Sequence, residues 1–320
     1  MVDAVKNFLY ASSGDSVYAL NALNGNTLWH YSTGAAVTAT PAVDGGMLFV
    51  GSNDFNIYAL TTSSGSLAWK YTTGSYVVSA PTVANGVVYA CSDDNNVYAL
   101  NESDGNLLWT FTTGGPIQFA PSVSNGIVYV ASSDGNIYAL SASTGGLVWQ
   151  YTTTPTNNST TPSVVNGVVY VASADDNLYA LNSSNGALLW KANLGAPADG
   201  SFAAVANGMV YVGSGDGGVF YALDANTGAV RWQYTTRVPV YSASAVADGV
   251  VYFGDGSGFF NALDASSGKL LWRYVTGGFF PAGAVTNGRV YLSGGPLYAF
   301  DVPGENSSTE QPPNMRNLRP

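Results

Sequence analysis

A chain of 320 residues carries a net charge of −10 with only 9% charged residues, against about 25% in an average soluble protein, so its surface must be built from neutral polar side chains. Its ten Lys and Arg residues form no basic cluster, which excludes a partner recognised through a nucleic-acid backbone. A single cysteine, Cys91, and a single histidine, His30, exclude an intrachain disulfide and the common zinc and copper sites, and no segment reaches the about 18 apolar residues of a membrane helix.

In chain order, residues 1–34 offer three strands ending in Trp29, with only a remnant of a first strand at residues 2–5. Residues 35–74, 75–114, 115–154, 155–195, 196–236 and 237–277 then repeat one pattern, and 278–302 give three strands that stop at Asp301. In 75–114 the spacing predicts strands at 77–83, 87–91, 96–101 and 107–112, joined by Ala-Asn-Gly, Ser-Asp-Asp-Asn and Ser-Asp-Gly turns whose Asn and Gly tolerate positive φ. Residues 303–320, rich in Pro, Asn and Ser, read as a C-terminal tail.

The period is set by Trp29, Trp69, Trp109, Trp149, Trp190, Trp232 and Trp272, spaced 40, 40, 40, 41, 42 and 40 residues apart. Four residues before each stands Gly25, Gly65, Gly105, Gly145, Gly186, Gly228 or Gly268. Regular recurrence makes the repeat the unit of folding. The second strand of each unit, as in 127–131, is apolar almost throughout and so must be buried on both faces. The expectation is an all-β fold: one eight-bladed β-propeller of four-stranded antiparallel blades, with the N-terminal segment lying against the last blade to close the ring.

The spacing Ala-x-x-x-x-x-Gly-x-x-x-Trp, found seven times, resembles the tryptophan-docking motif of pyrroloquinoline-quinone (PQQ)-type propellers. The resemblance implies that each Trp stacks on backbone near a motif glycine and hydrogen-bonds to the adjacent blade, a structural role that its buried N–H also calls for. The family holds quinoprotein dehydrogenases, which bind PQQ with calcium, and non-catalytic look-alikes similar to outer-membrane assembly lipoproteins and kinase sensor domains. The dehydrogenases are longer, with insertions between blades and often two adjacent cysteines. Here the connections are minimal and Cys91 stands alone, so the resemblance carries the fold and not the catalysis.

Candidate catalytic groups are sparse. Of three Glu residues two lie in the tail, and Asp54, Asp94, Asp134, Asp175 and Asp216 recur at equivalent or nearly equivalent positions of hairpins that contain Gly or Asn, where turn chemistry explains them. A calcium ring of these carboxylates is the alternative. His30 reads as solvent-facing and Cys91 as a buried small residue, in the slot held elsewhere by Gly51 or Ala131. The Asn-x-Ser/Thr triplets at Asn101, Asn157, Asn158, Asn182 and Asn306 suit a glycosylating export route but arise by chance in such a composition.

The repeat is least regular in the connections between units, where binding normally resides. The varied segments are 75–76, 115–119, 155–158, 196–202, 237–241 and 277–280, and Gln118, Phe119, Asp199, Phe202, Arg237 and Tyr241 are the ligand-binding candidates. The resulting expectation is an exported, monomeric, non-catalytic scaffold with no cofactor, presenting its loop face to a protein or cell-envelope glycan. The competing readings are a small-molecule sensor that binds PQQ with calcium and, behind it, a dehydrogenase or lyase.

Overall fold

The computed structural model describes residues 2–3, 8–153, 160–198, 200–276, 282–286, 289–293, 297–301 and 316–318, of which 2–3, 282–286, 289, 292–293, 297–301 and 316–318 are described by backbone alone. Among them there is no helix, only eight four-stranded sheets, each taking its strands in chain order. The molecule is an all-β propeller of PQQ-type repeats. It divides into two compact units, Met1–Val164 with Ser183–Ala187 and Val165–Asn182 with Leu188–Pro320.

In the first unit the third sheet shows how the repeat folds. Thr82–Ala84, Val87–Cys91, Asn96–Asn101 and Leu107–Thr112 form an antiparallel meander. Its first strand is shorter than the Val and Ser pattern predicts: Pro81, with no N–H, cannot join the ladder, and Val77 is instead a fully buried plug whose N–H bonds Ser52 O at 3.2 Å. The ladder between third and fourth strands slips by one residue after Ala99, and the same slip recurs at Ala19, Ala59 and Ala139. That bulge leaves Ala99 opposite Trp109 and sends Leu107 and Leu108 out to solvent.

The core lies between neighbouring sheets. Tyr89, Cys91, Val97, Ala99 and Trp109 of the third sheet pack on Ile117, Val128, Val130, Tyr138 and Leu140 of the fourth. Each of these larger apolar side chains contributes about 1.5–3 kcal/mol by leaving water. Trp29, Trp69, Trp109 and Trp149 lie on Gly65, Gly105, Gly145 and Gly186, and their indole N–H groups donate to the carbonyls of Thr62, Glu102, Ala142 and Ser183 at 2.8–2.9 Å. Tyr89 and Tyr129 add their hydroxyls to the Ala142 and Ser183 carbonyls.

The second unit repeats the scheme. Trp190 and Trp232 lie on Gly228 and Gly268 and donate to Ala225 O and Ala265 O, carbonyls that also accept from Tyr170 and Tyr211. Trp272 pairs opposite Ala262 and packs with Tyr252 and Phe260.

Both chain ends depart from expectation. Val2–Asp3, expected against the last sheet, pairs with Phe8 and Leu9 and serves as the first strand of its own sheet. The segment 303–320, expected as a tail, supplies Arg316–Leu318 as the fourth strand of the last sheet, with Arg316 opposite Ala299 in the register that Trp holds elsewhere. The rest of that segment lies outside the described residues.

Candidate functional site

Each sheet has two ends. One carries the hairpin between second and third strands together with the connection leading into that sheet, and it is here that the sequence candidates fall.

The hairpin carboxylates are tethers. Asp94 Oδ2 accepts the Gly74 N–H and the Tyr98 hydroxyl, each at 2.6 Å, while Oδ1 accepts the Asn96 N–H at 3.0 Å. Asp54 and Asp134 do the same with Gly34, Tyr58 and Asn56, and with Gly114, Tyr138 and Asn136. A Cβ on Gly34, Gly74 or Gly114 would come within 2.8–3.0 Å of the carboxylate oxygen, so the connection needs glycine for close approach. In the second unit Asp175 accepts from Tyr179 at 2.5 Å and from the Asn177 N–H. Burial pushes Asp54 up, yet its hydrogen bonds from Tyr58, Gly34 and Asn56 prevail and hold it below the usual carboxylate range. The partner tyrosines are raised by burial and by the adjacent carboxylate, Tyr138 to about 12.

Among the described residues no three His, Cys, Asp or Glu side chains group closely enough to hold a metal ion. Cys91 is fully buried, and burial raises its thiol far above the nucleophilic range.

The six ligand-binding candidates divide between the units. In the first, Gln118 is exposed, its Nε2 a long 3.5 Å from Asp93 Oδ2, and Phe119 beside it is half-buried. In the second, Tyr241 donates to Asp216 Oδ1 at 2.5 Å, with its ring against Gly200 and Gly215. Tyr241 therefore holds its connection down in the way the Asp tethers do elsewhere. Phe202 is half-buried and bridges Ala243. Arg237 is exposed, with a φ of 65° in the left-handed region that costs a non-glycine residue about 1–2 kcal/mol. Asp199 and the connections 155–158 and 277–280 lie outside the described residues.

Two residues of this end went unremarked as candidates in the sequence. Phe55 has a φ of 73° where the matching hairpins hold Asn95, Gly135 and Asp176, and its ring meets Tyr76 edge-on at 5.2 Å. The signal was available: Phe is the one bulky residue in a slot that otherwise takes Gly, Asn or Asp.

A family model described as outer membrane protein assembly factor BamB matches residues 13–160, 112–193 and 174–308. No curated protein matches the chain in sequence. Among solved structures, BamB from Moraxella catarrhalis is similar with a TM-score of 0.79 and 20% identity, over 92% of this chain and 90% of that one. A computationally designed protein reaches 0.82 at 16% identity over 92% and 93%. A quinohemoprotein alcohol dehydrogenase from Pseudomonas putida reaches 0.75 at 17% identity, over 93% of this chain and 69% of the enzyme. At such identities the likeness to these structures is one of fold.

Proposed function

The chain belongs to the outer membrane protein assembly factor BamB family, and on that premise we propose that it is an exported, non-catalytic propeller that presents the hairpin-and-connection end of its sheets to a protein partner. The observation that carries this reading is how the repeated carboxylates are used. Asp54, Asp94 and Asp134 each engage both oxygens with the fold's own tyrosine hydroxyls and N–H groups, which suits a brace for the connections better than a free acid, base or ligand oxygen. Varied side chains on braced connections suit recognition.

The proposal includes no quinone held by calcium: such an ion takes six to eight oxygens, carboxylates among them, and among the described residues no three His, Cys, Asp or Glu side chains gather to begin such a set.

Titrating the protein calorimetrically with PQQ in the presence of calcium, and assaying the mixture for alcohol oxidation with an artificial electron acceptor, separates scaffold from enzyme. The scaffold reading expects neither heat nor turnover; micromolar binding or quinone-dependent oxidation overturns it.

A further inference from the structure

We propose that the fourth-strand edges of three neighbouring sheets in the second unit dock on an anionic lipid surface. This goes beyond the scaffold reading and does not depend on it, because it concerns the edges of the sheets and not their connection end.

The edges belong to the fifth, sixth and seventh sheets and span Leu188–Asn193, Val230–Thr235 and Leu270–Val275. The three sheets are packed in succession: Leu178 shares a core with Val210 and Leu223, and Phe220 stacks on Phe253 at 3.9 Å. The one-residue slip after Ala180 and Ala222 brings Leu188 with Leu189, and Val230 with Arg231, to the surface. Leu271 and Val275 are exposed on the seventh edge, Val275 by 56%. Trp190 and Trp232 are half-buried, whereas Trp29, Trp69, Trp109 and Trp149 are buried.

The charge of these edges is opposite to that of the chain. Asp and Glu number 20 against 10 Lys and Arg, yet no acid stands in any of the seven fourth strands from Thr27–Ser32 to Leu270–Val275. The three edges, with the turn into the last of them, carry Lys191, Arg231, Lys269 and Arg273, all exposed. Arg231 is ion-paired with Asp224 at 2.6 Å. Arg273 lies over the Phe259 ring at 4.5 Å, and Asp264, in the turn before Lys269, spends its Oδ1 on the hydroxyls of Ser266 and Ser267. At physiological salt a charge is largely screened beyond about 8 Å, so this local set decides binding and not the net charge of −10.

Exposed aliphatic groups, half-buried tryptophans and cations on one surface suit the boundary of a bilayer. The aliphatic groups enter it, the indoles sit at headgroup level, and the cations meet anionic headgroups. An acidic protein fits less well. Protein partners take their binding energy from anchors gathered in a central pocket, whereas these apolar groups are spread over three edges, and a bilayer conforms to scattered groups.

The test floats the full chain with vesicles of phosphatidylcholine, alone or mixed with phosphatidylglycerol. We expect flotation only with the mixed vesicles, and release by high salt. Each cation at such a surface is worth about fivefold in binding, so Lys191→Glu combined with Arg273→Glu should weaken it by about tenfold or more. Lys70→Glu, at the same repeat position in the first unit, should leave it unchanged. A nitroxide on Leu189→Cys should be shielded from an aqueous relaxant by the vesicles, and one on Leu108→Cys, the matching residue of the third sheet, should not; Cys91 is buried and stays unlabelled. Absent flotation, equal flotation with phosphatidylcholine alone, or binding indifferent to the double reversal overturns the proposal. So does capture of soluble polyglutamate with the vesicles left unbound, which would assign the edges to an acidic protein. Vesicle binding by a chain that captures no protein partner would leave these edges standing and remove the scaffold reading.

Discussion

Trp109 lies flat on the α-carbon of Gly145: a methyl group there would come 2.7 Å from two ring atoms, while the indole Nε1 donates to Ala142 O at 2.9 Å. One side chain thus fills the space between two sheets and satisfies a turn carbonyl of the next. The distance from Ala142 to Gly145 is fixed by that geometry, which is why turn and tryptophan keep step along the chain.

Gly145→Ala should be strongly destabilising. The residue has a φ of 71°, and the added methyl would overlap the indole; left-handed strain of about 1–2 kcal/mol and overpacking of about 1–3 kcal/mol give about 2–5 kcal/mol in all. Chemical unfolding followed by tryptophan fluorescence measures it, and Gly126→Ala, which meets nothing within 4 Å but shares a positive φ, isolates the strain alone.

Trp69→Phe should cost more than Trp109→Phe, although both lose one indole N–H. The Ala142 carbonyl keeps a second donor, the Tyr89 hydroxyl at 3.2 Å, whereas the second sheet has Phe49 in the tyrosine position and Glu102 O accepts from Trp69. Losing one of two donors costs about 1 kcal/mol and stripping a carbonyl of its side-chain donor about 1–3 kcal/mol. A double-mutant cycle of Tyr89→Phe with Trp109→Phe should show coupling.

Stability should fall at both pH extremes for reasons tied to one motif. Asp54 is held below its ordinary range in the folded chain, so as pH falls below about 4 the unfolded chain binds a proton first and stability declines until the folded carboxyl also titrates. Tyr138 is raised to about 12, so its contribution is intact below about 10, where the unfolded phenol begins to ionise, and is lost as pH rises toward 12. Unfolding midpoints against pH should flatten on the alkaline limb in Tyr138→Phe and on the acid limb in Asp54→Asn.

Arg237→Gly should stabilise the chain by about 1 kcal/mol, because glycine occupies the left-handed region without steric penalty. No side-chain partner of Arg237 is lost among the described residues, so thermal unfolding should report the backbone relief directly.

Much of this was legible in the sequence. The seven tryptophans and their glycines disclosed the repeat, and the strands 87–91, 96–101 and 107–112 lie where Val, Tyr and turn residues put them. The first strand of the third sheet was overextended, since alternating Val and Ser cannot reveal that Val77 is a plug. The last strand was missed because Arg316–Leu318 has neither β-branched residues nor a Trp, and pairing alone makes it a strand. At the candidate site the sequence marked the varied connections but not what their residues do. Tyr241 looked available for a ligand, yet its hydroxyl is held by Asp216, a partner 25 residues away that no local pattern announces.

The most direct test of the scaffold reading is site-specific photocrosslinking in the cells that make the protein. A benzoylphenylalanine is placed singly at Tyr76 or Gln118, at the connection end of the first unit, and at Asn85 or Ser143, at the opposite end of the same sheets. The account predicts one discrete crosslinked protein from the first pair and none from the second. Crosslinks from the second pair alone, or none from any position, would contradict it.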